Sequence, residues 1–234
     1  MSENLKKIHE YLISRGSKEE TLKKWDTFSV YLAMEIMEYA HRDQKRENGE
    51  EYAFHPSRVL YNYQNLVGID LDDPFCMDED LMYKHNIPYN GVQEVCLLHD
   101  VVEDTEFSID DIRNIYIECG FQTYFDLYIL DALKRITHDK SMDYEEYIKI
   151  VLQNPISAIV KMMDLQDNLR VIDLIELNED NYKRSRMYLS YIYIINDIYH
   201  FLENIKAYKD ELKGEPKMSF EDLLKMGVKV DIVD

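Results

Sequence analysis

The sequence predicts an all-α protein built around one helical domain, and three observations lead to this prediction. Glycine and proline, which punctuate chains, number only 7 and 5 in 234 residues. Apolar residues recur at helical spacing through most of the chain, whereas alternating runs long enough for strands are few. Hydrophobic residues make up 46% of the chain, which is enough to fill a substantial core. We therefore expect a helical bundle over residues 1–213 and a short helix with a tail over residues 214–234.

Individual helices are predicted from capping residues and apolar spacing. We expect a first helix over Leu5–Ser14 and a second, longer one over about Lys18–Arg42. Asn154 followed by Pro155 is a strong start signal, because Asn caps helices and Pro fits their first position, and this helix should reach Ile172. Three further predictions are a start at Ser108 with Asp111, a tyrosine-rich apolar helix between Arg184 and Leu212, and a last short helix capped by Ser219 and Asp222.

The segment Gln64–Asn90 is predicted to be an irregular insertion in this bundle. It is acidic and is broken by Pro74 and Pro88. Connections of this length are often functional. We expect a lid or excursion between the helix after His55 and the helix that bears His99.

Charge and cysteine content exclude several classes of function. Lys plus Arg number 27 and Asp plus Glu number 46, so the net charge is −19, which argues against binding to nucleic-acid polymers or anionic membranes. No stretch has the length and apolarity of a membrane span or signal peptide, so we expect a cytoplasmic enzyme. The scattered Cys76, Cys96 and Cys119 are expected to be reduced and mostly buried rather than catalytic.

The run His99-Asp100-Val101-Val102-Glu103-Asp104 is the most informative segment of the chain. On one continuous helix, its four polar side chains fall within a sector of about 140°, and His99, Asp100 and Glu103 continue the apolar stripe that precedes them. Buried carboxylates without a partner are unfavourable by several kcal/mol. A divalent cation is the simplest partner, so the pattern predicts a metal site with its own acid/base groups.

A second predicted helix carries the same change from apolar to polar. Asp164 and Asn168 lie on the row of Ile156 and Val160, where further apolar residues would be expected. His55, in a third segment, completes a set of imidazole and carboxylate groups that could hold a metal for hydrolysis.

A second His-Asp pair, His138-Asp139, provides an internal comparison. Only Asp143 follows it at the next turn, and the pair falls in a loop-like run, so we do not expect it to bind metal. The remaining histidines are expected at the surface or in packing; they are His9, His41, His85 and His200.

Four motifs in a fixed order resemble a known family. They are HRDQKR at 41–46, GEEYAFHP at 49–56, LLHDVVEDT at 97–105, and VKMMD at 160–164 with NLR at 168–170. Over about residues 25–175 the chain resembles the HD-domain hydrolases of the RelA/SpoT homologue family, including its stand-alone small alarmone hydrolases.

The resemblance implies an all-helical HD fold and a set of site residues. It implies Mn2+ ligands His55, His99, Asp100 and Asp164, water-activating acids Glu103 and Asp104, and nucleotide-pocket residues Arg46, Tyr52 and Asn168. The implied reaction removes pyrophosphate from the 3′ position of a guanosine alarmone such as ppGpp. A cation would neutralise phosphoryl oxygens and lower the pKa of bound water, and a mixed N/O ligand set also suits Fe2+ or Zn2+.

Departures from the family pattern leave other functions open. Glu47 replaces a second basic residue, Asp167 replaces a histidine, and Val171 replaces a threonine. The first alternative is therefore an HD hydrolase of another nucleotide or phosphoester. A non-catalytic nucleotide-binding regulatory module is a second, although no ligand or acid of the motif is lost, and a mere buried ion network is a third. An anionic nucleotide is the expected partner, and the oligomeric state stays open.

Overall fold

The described residues fold as helices joined by turns and loops. The structure, a computed structural model, describes residues 2–68, 78–172 and 178–214, and no β-strand occurs among them. The all-α prediction is confirmed. The first helices are α1 (Glu3–Ser14), α2 (Glu19–Trp25), α3 (Ser29–Ala40), α4 (Phe54–Val67), α5 (Glu79–Lys84), α6 (Val92–Leu98) and α7 (Val101–Asp104).

The later helices are α8 (Ile109–Glu118), α9 (Gln122–Tyr124), a π-helical turn (Phe125–Ile129), α10 (Leu130–Ile136), α11 (Tyr144–Val151), α12 (Pro155–Ile172), α13 (Glu179–Tyr199) and α14 (Phe201–Gly214). They include α12, against which α10, α11 and α13 pack. Helix α12 packs against α4, α6, α10 and α13, while α6 also packs against α3 and α4. Every apolar side chain of α6 is buried, so the end of α6 lies deep inside the bundle, next to α4 and α12.

The predicted helix starts agree with the observed capping contacts. The Asn154 side chain accepts a hydrogen bond from the backbone N–H of Ile156 at 2.8 Å, and α12 reaches Ile172 as predicted. Ser108 and Asp111 form a reciprocal capping box that starts α8.

Two predicted helices are each divided into two. The helix expected over Lys18–Arg42 is observed as two helices, α2 and α3. The turn between them is closed by a hydrogen bond from the Phe28 N–H to the Trp25 carbonyl, and the Asp26 side chain points toward His9. The helix expected between Arg184 and Leu212 is α13 and α14, because His200 takes a left-handed conformation with φ of 53°.

The predicted insertion is partly regular. Helix α5 lies within the segment expected to be irregular, and the Asp78 side chain caps it through the N–H of Leu81. Residues 69–77, which include Pro74 and Cys76, lie outside the described residues, as does the short helix predicted at Ser219. Among the described helices, none combines the length and apolarity needed to cross a bilayer.

Gly91 fixes the start of α6 and gives a test of this packing. Its φ is +78°, and a Cβ there would lie 2.7 Å from the backbone oxygen of Tyr128. We expect Gly91→Ala to lower the free energy of unfolding by about 3 kcal/mol, measured by urea denaturation.

Gly120→Ala is the matched control. Gly120 also has a positive φ, +85°, but a Cβ there meets nothing within 4 Å. Only backbone strain should therefore destabilise Gly120→Ala, and its free energy of unfolding should fall by about 1 kcal/mol. Equal losses in the two variants would contradict the close approach at Gly91.

Candidate active site

Four expected metal ligands meet at the junction of three elements. Helix α4 supplies His55, the connection between α6 and α7 supplies His99 and Asp100, and α12 supplies Asp164. His55 Nε2 lies 3.3 Å from Asp100 Oδ2 and 3.1 Å from Asp164 Oδ1. His99 Nε2 lies 3.2 Å and 3.8 Å from the same two oxygens. These residues come from positions up to 109 apart in sequence, and only the packing of α12 on α4 and α6 unites them.

The His-Asp pair interrupts its helix rather than continuing it. The expectation of one continuous helix through His99 and Asp104 is wrong, since α6 ends at Leu98 and α7 begins at Val101. The ring of His99 donates from Nδ1 to the carbonyl of Cys96 at 2.9 Å. In a continuous helix that carbonyl would accept the backbone N–H of Asp100. The side chain takes this role, and the pair is free to turn toward α4 and α12.

Both histidine rings are oriented by a contact at Nδ1. His99 donates to a backbone carbonyl, and Nδ1 of His55 lies 2.7 Å from Oδ2 of Asp167. Each Nε2 therefore points at two carboxylates and must carry either a proton or a cation. His99 Nε2 is buried and makes no hydrogen bond within the described residues. This donor set fits a divalent metal ion.

The carboxylates of the cluster are held in their charged form. Burial by itself would raise the pKa of Asp100, but the charges and hydrogen bonds of His99 and His55 together hold it well below its ordinary value. The pKa of Asp164 is also lowered, chiefly by Lys161, whose Nζ lies 2.8 Å from Oδ2. Burial by itself would lower the pKa of His55, but hydrogen bonds to the surrounding aspartates raise it to about 10. Without a metal, a proton on His55 balances these acids.

Glu103 and Asp104 lie beside the cluster and have other partners. Glu103 Oε2 accepts the backbone N–H of His138 at 3.1 Å, and burial raises the pKa of Glu103. Asp104 Oδ1 lies 3.0 Å from Nζ of Lys140. The hydroxyl of Tyr52 lies 2.8 Å from Asp100 Oδ2 and 3.0 Å from Asp104 Oδ2, so Tyr52 links a candidate ligand to a candidate acid.

The second His-Asp pair stays apart from the cluster. The ring of His138 lies against Tyr147, at 4.4 Å between ring centroids, and the Asp139 carboxylate accepts from Ser141. The His138 side chain is not one of the clustered metal-ligand groups, but its backbone N–H donates a hydrogen bond to the Glu103 carboxylate.

The expected pocket residues are connected to the cluster. Arg46 Nη2 donates to Asn168 Oδ1 at 2.5 Å, and Asn168 Nδ2 donates to Asp164 Oδ1 at 2.6 Å. Arg46 Nη1 also lies 3.1 Å from Oδ2 of Asp167. Arg46 and Asn168 thus stand within one hydrogen-bonded network with the candidate ligand Asp164.

Asp167 was missed as a site residue by sequence reasoning, which noted it only as a departure from a family pattern. It is buried, and it accepts from the Arg58 guanidinium at 2.7 Å as well as from His55 and Arg46. His55 and Arg58 lower the pKa of Asp167 to about 2 against the effect of burial. Its position three residues after Asp164, on the same helix face, was the available signal. No sequence pattern around Arg58 predicted its contact with Asp167.

Asp167→Asn tests this network in chelator-treated protein. Since the folded pKa is lowered, the charged carboxylate stabilises the fold above its ordinary pKa of 3.8. The variant should lose on the order of 2 kcal/mol of unfolding free energy at pH 7, and its deficit should shrink as pH falls from about 4 toward 2. Urea denaturation at several pH values measures this.

Asp126→Asn is the control for that substitution. Asp126 accepts from the Arg113 guanidinium at 2.7 Å and 2.8 Å, but this pair lies near the surface. Surface ion pairs contribute little. A loss at Asp126 as large as that at Asp167 would contradict the importance of the buried network.

Comparisons with known proteins find relatives that are named as ppGpp hydrolases. No family model matches it. It is 27% identical over 149 residues to the guanosine-3′,5′-bis(diphosphate) 3′-pyrophosphohydrolase MESH1 of Drosophila melanogaster, which covers 58% of this chain and 67% of that enzyme. It is 25% identical over 146 residues to the guanosine-3′,5′-bis(diphosphate) 3′-pyrophosphohydrolase of Aquifex aeolicus, covering 61% of this chain but only 18% of that protein.

A further relative and a solved structure complete the comparison. A GTP pyrophosphokinase of Streptomyces coelicolor is 24% identical over 66% of this chain and 16% of its own length, so the chain spans under a fifth of each bacterial relative. A solved structure described as a metazoan ortholog of SpoT that hydrolyses ppGpp shares the fold, with a TM-score of 0.50, 20% identity and coverage of 79% of this chain and 93% of that one. The chain is thus similar in sequence to ppGpp 3′-pyrophosphohydrolases and shares its all-α fold with a solved metazoan ortholog of SpoT.

Proposed function

We propose that this protein hydrolyses ppGpp by removing its 3′ pyrophosphate in a metal-dependent reaction. The single observation that carries the proposal is the buried cluster in which Nε2 of His55 and of His99 face the carboxylates of Asp100 and Asp164. Relatives with this activity in their names support the choice of substrate.

The proposed ligands are His55, His99, Asp100 and Asp164. A divalent ion bound there would neutralise phosphoryl oxygens and lower the pKa of a bound water. Mn2+ is our proposed ion, and the same N/O ligand set also accommodates Fe2+ or Zn2+. Asp167 would act behind His55 as a carboxylate that orients a ligand imidazole and increases its basicity.

The proposed chemistry breaks the bond between the 3′ oxygen and the nearer phosphorus. A water oxygen attacks that phosphorus, Glu103 accepts the proton of the water, and the 3′ oxygen leaves and becomes a hydroxyl after gaining a proton. Burial raises the pKa of Glu103, which suits a group that must take up a proton near neutral pH. Asp104, held by Lys140 and Tyr52, would position the water.

Local cations would draw the anionic nucleotide toward an acidic protein. The ammonium of Lys140 is largely exposed and stands 3.0 Å from Asp104. Arg46, Tyr52 and Asn168 are the proposed nucleotide contacts. Cytoplasmic location, the lack of nucleic-acid binding and the division at residue 213 stay predictions, and the oligomeric state stays open.

Two substitutions separate metal binding from proton transfer. Asp100→Ala should lose bound metal by elemental analysis, whereas Glu103→Gln should keep the metal and lower kcat about 10²–10⁴-fold. The assay measures pyrophosphate released from ppGpp with Mn2+, alongside a panel of other nucleotides. Asp139→Asn, which changes the acid of the second His-Asp pair, should leave both quantities unchanged. If metal-loaded protein releases no pyrophosphate from ppGpp, the proposal is wrong.

Arg46→Ala tests the proposed nucleotide pocket. Because Arg46 does not contact the candidate ligand atoms, its loss should raise KM about tenfold and leave metal content unchanged. Arg42→Ala is the control, since Arg42 is bound to the carbonyl of Tyr39 and to Glu106 instead. If both variants have the KM of the unaltered protein, Arg46 does not bind the nucleotide.

A further inference from the structure

A second group of potential ligands lies among the first three helices. His9 belongs to α1, Asp26 follows the last residue of α2, and Glu35 belongs to α3. His9 Nε2 lies 3.2 Å from Asp26 Oδ1 and 3.4 Å from Glu35 Oε2. None of these residues belongs to the proposed active site, and sequence reasoning assigned His9 to the surface or to packing.

The spacing of these atoms is that of ligands around one ion. A tetrahedral ion about 2.1 Å from each ligand atom holds neighbouring ligand atoms about 3.4 Å apart. The measured separations from His9 Nε2, 3.2 and 3.4 Å, match this value. They also match the separations in the first cluster, where three of the four lie between 3.1 and 3.3 Å. The three ligand atoms together lie within 4.8 Å of one another.

An unpartnered buried group provides a second observation. Glu35 is only 1% exposed, and neither of its carboxylate oxygens makes a hydrogen bond within the described residues. Its one close polar neighbour in this group is His9 Nε2, which also faces Asp26. A single N–H cannot donate well to two carboxylates, and a buried carboxylate without a partner is unfavourable. One divalent cation would satisfy all three side chains.

We propose that His9, Asp26 and Glu35 bind a second divalent transition-metal ion, of the Zn2+ class, that joins α1 and the end of α2 to α3. One imidazole and two carboxylates form a mixed N/O set suited to such an ion. The side chain of Asp26 is 19% exposed, which leaves a path from solvent and room for water as a further ligand. The site is structural, because it fastens the N-terminal helices to the bundle.

The number of Zn2+ ions bound per chain tests the proposal. Equilibrium dialysis followed by elemental analysis should show that Glu35→Gln binds about one ion fewer than the unaltered protein. Bound Zn2+ should also raise the Tm of Asp100→Ala, in which the first cluster is impaired, and should raise it less once Glu35→Gln is added. The comparison depends only on Glu35, so it stands whether or not the first cluster binds Zn2+.

Glu38→Gln is the matched control, because it removes the same charge from the same helix at an exposed position. It should bind as many ions as the unaltered protein. Asp26→Asn decides the question if Glu35→Gln fails to fold, as judged by circular dichroism, since Asp26 is partly exposed. Unchanged Zn2+ content in the folded variants at positions 35 and 26, or an equal loss in Glu38→Gln, would overturn the proposal.

Discussion

Two imidazole nitrogens facing one pair of carboxylates are the interaction on which the site depends. Asp167 holds the His55 ring at Nδ1, and the Cys96 carbonyl holds the His99 ring at Nδ1. These contacts fix the orientation of both rings and therefore the direction in which each Nε2 points. The negative charge of the facing carboxylates then needs a positive partner in a buried volume. A proton or a metal ion can supply it. The bundle thus maintains a site whose electrostatics call for a cation.

The helices around the site hold these charged side chains in place. Helix α12 delivers Asp164, Asp167 and Asn168 from successive turns, and each contacts a residue of another segment. Asp167 joins His55 to Arg58, while Asn168 joins Arg46 to Asp164. A single helix therefore sets both the orientation of a candidate ligand and the placement of a candidate nucleotide contact.

The N-terminal helices repeat the same physical problem on a smaller scale. Glu35 is buried in α3 with one imidazole nearby, and that imidazole also faces Asp26. Helix α3 packs on α6 and is followed by His41, whose ring stacks on Tyr52 at 4.6 Å. The α1–α3 region therefore supports the wall of the active site from outside. Fixing it with an ion would stiffen that wall without adding a catalytic group.

The sequence by itself determined the all-α class, the start of α12 and the ionic faces at His99 and Asp164, because helical period and capping are local properties. It could not reveal the break at the His-Asp pair, where a ring replaces a backbone hydrogen bond. It also could not reveal the contact of Asp167 with Arg58 or that of His9 with Glu35, since the members of each pair are distant in the chain. Only tertiary packing decided them, because the cost of a buried charge depends on which side chains the fold brings within about 3 Å.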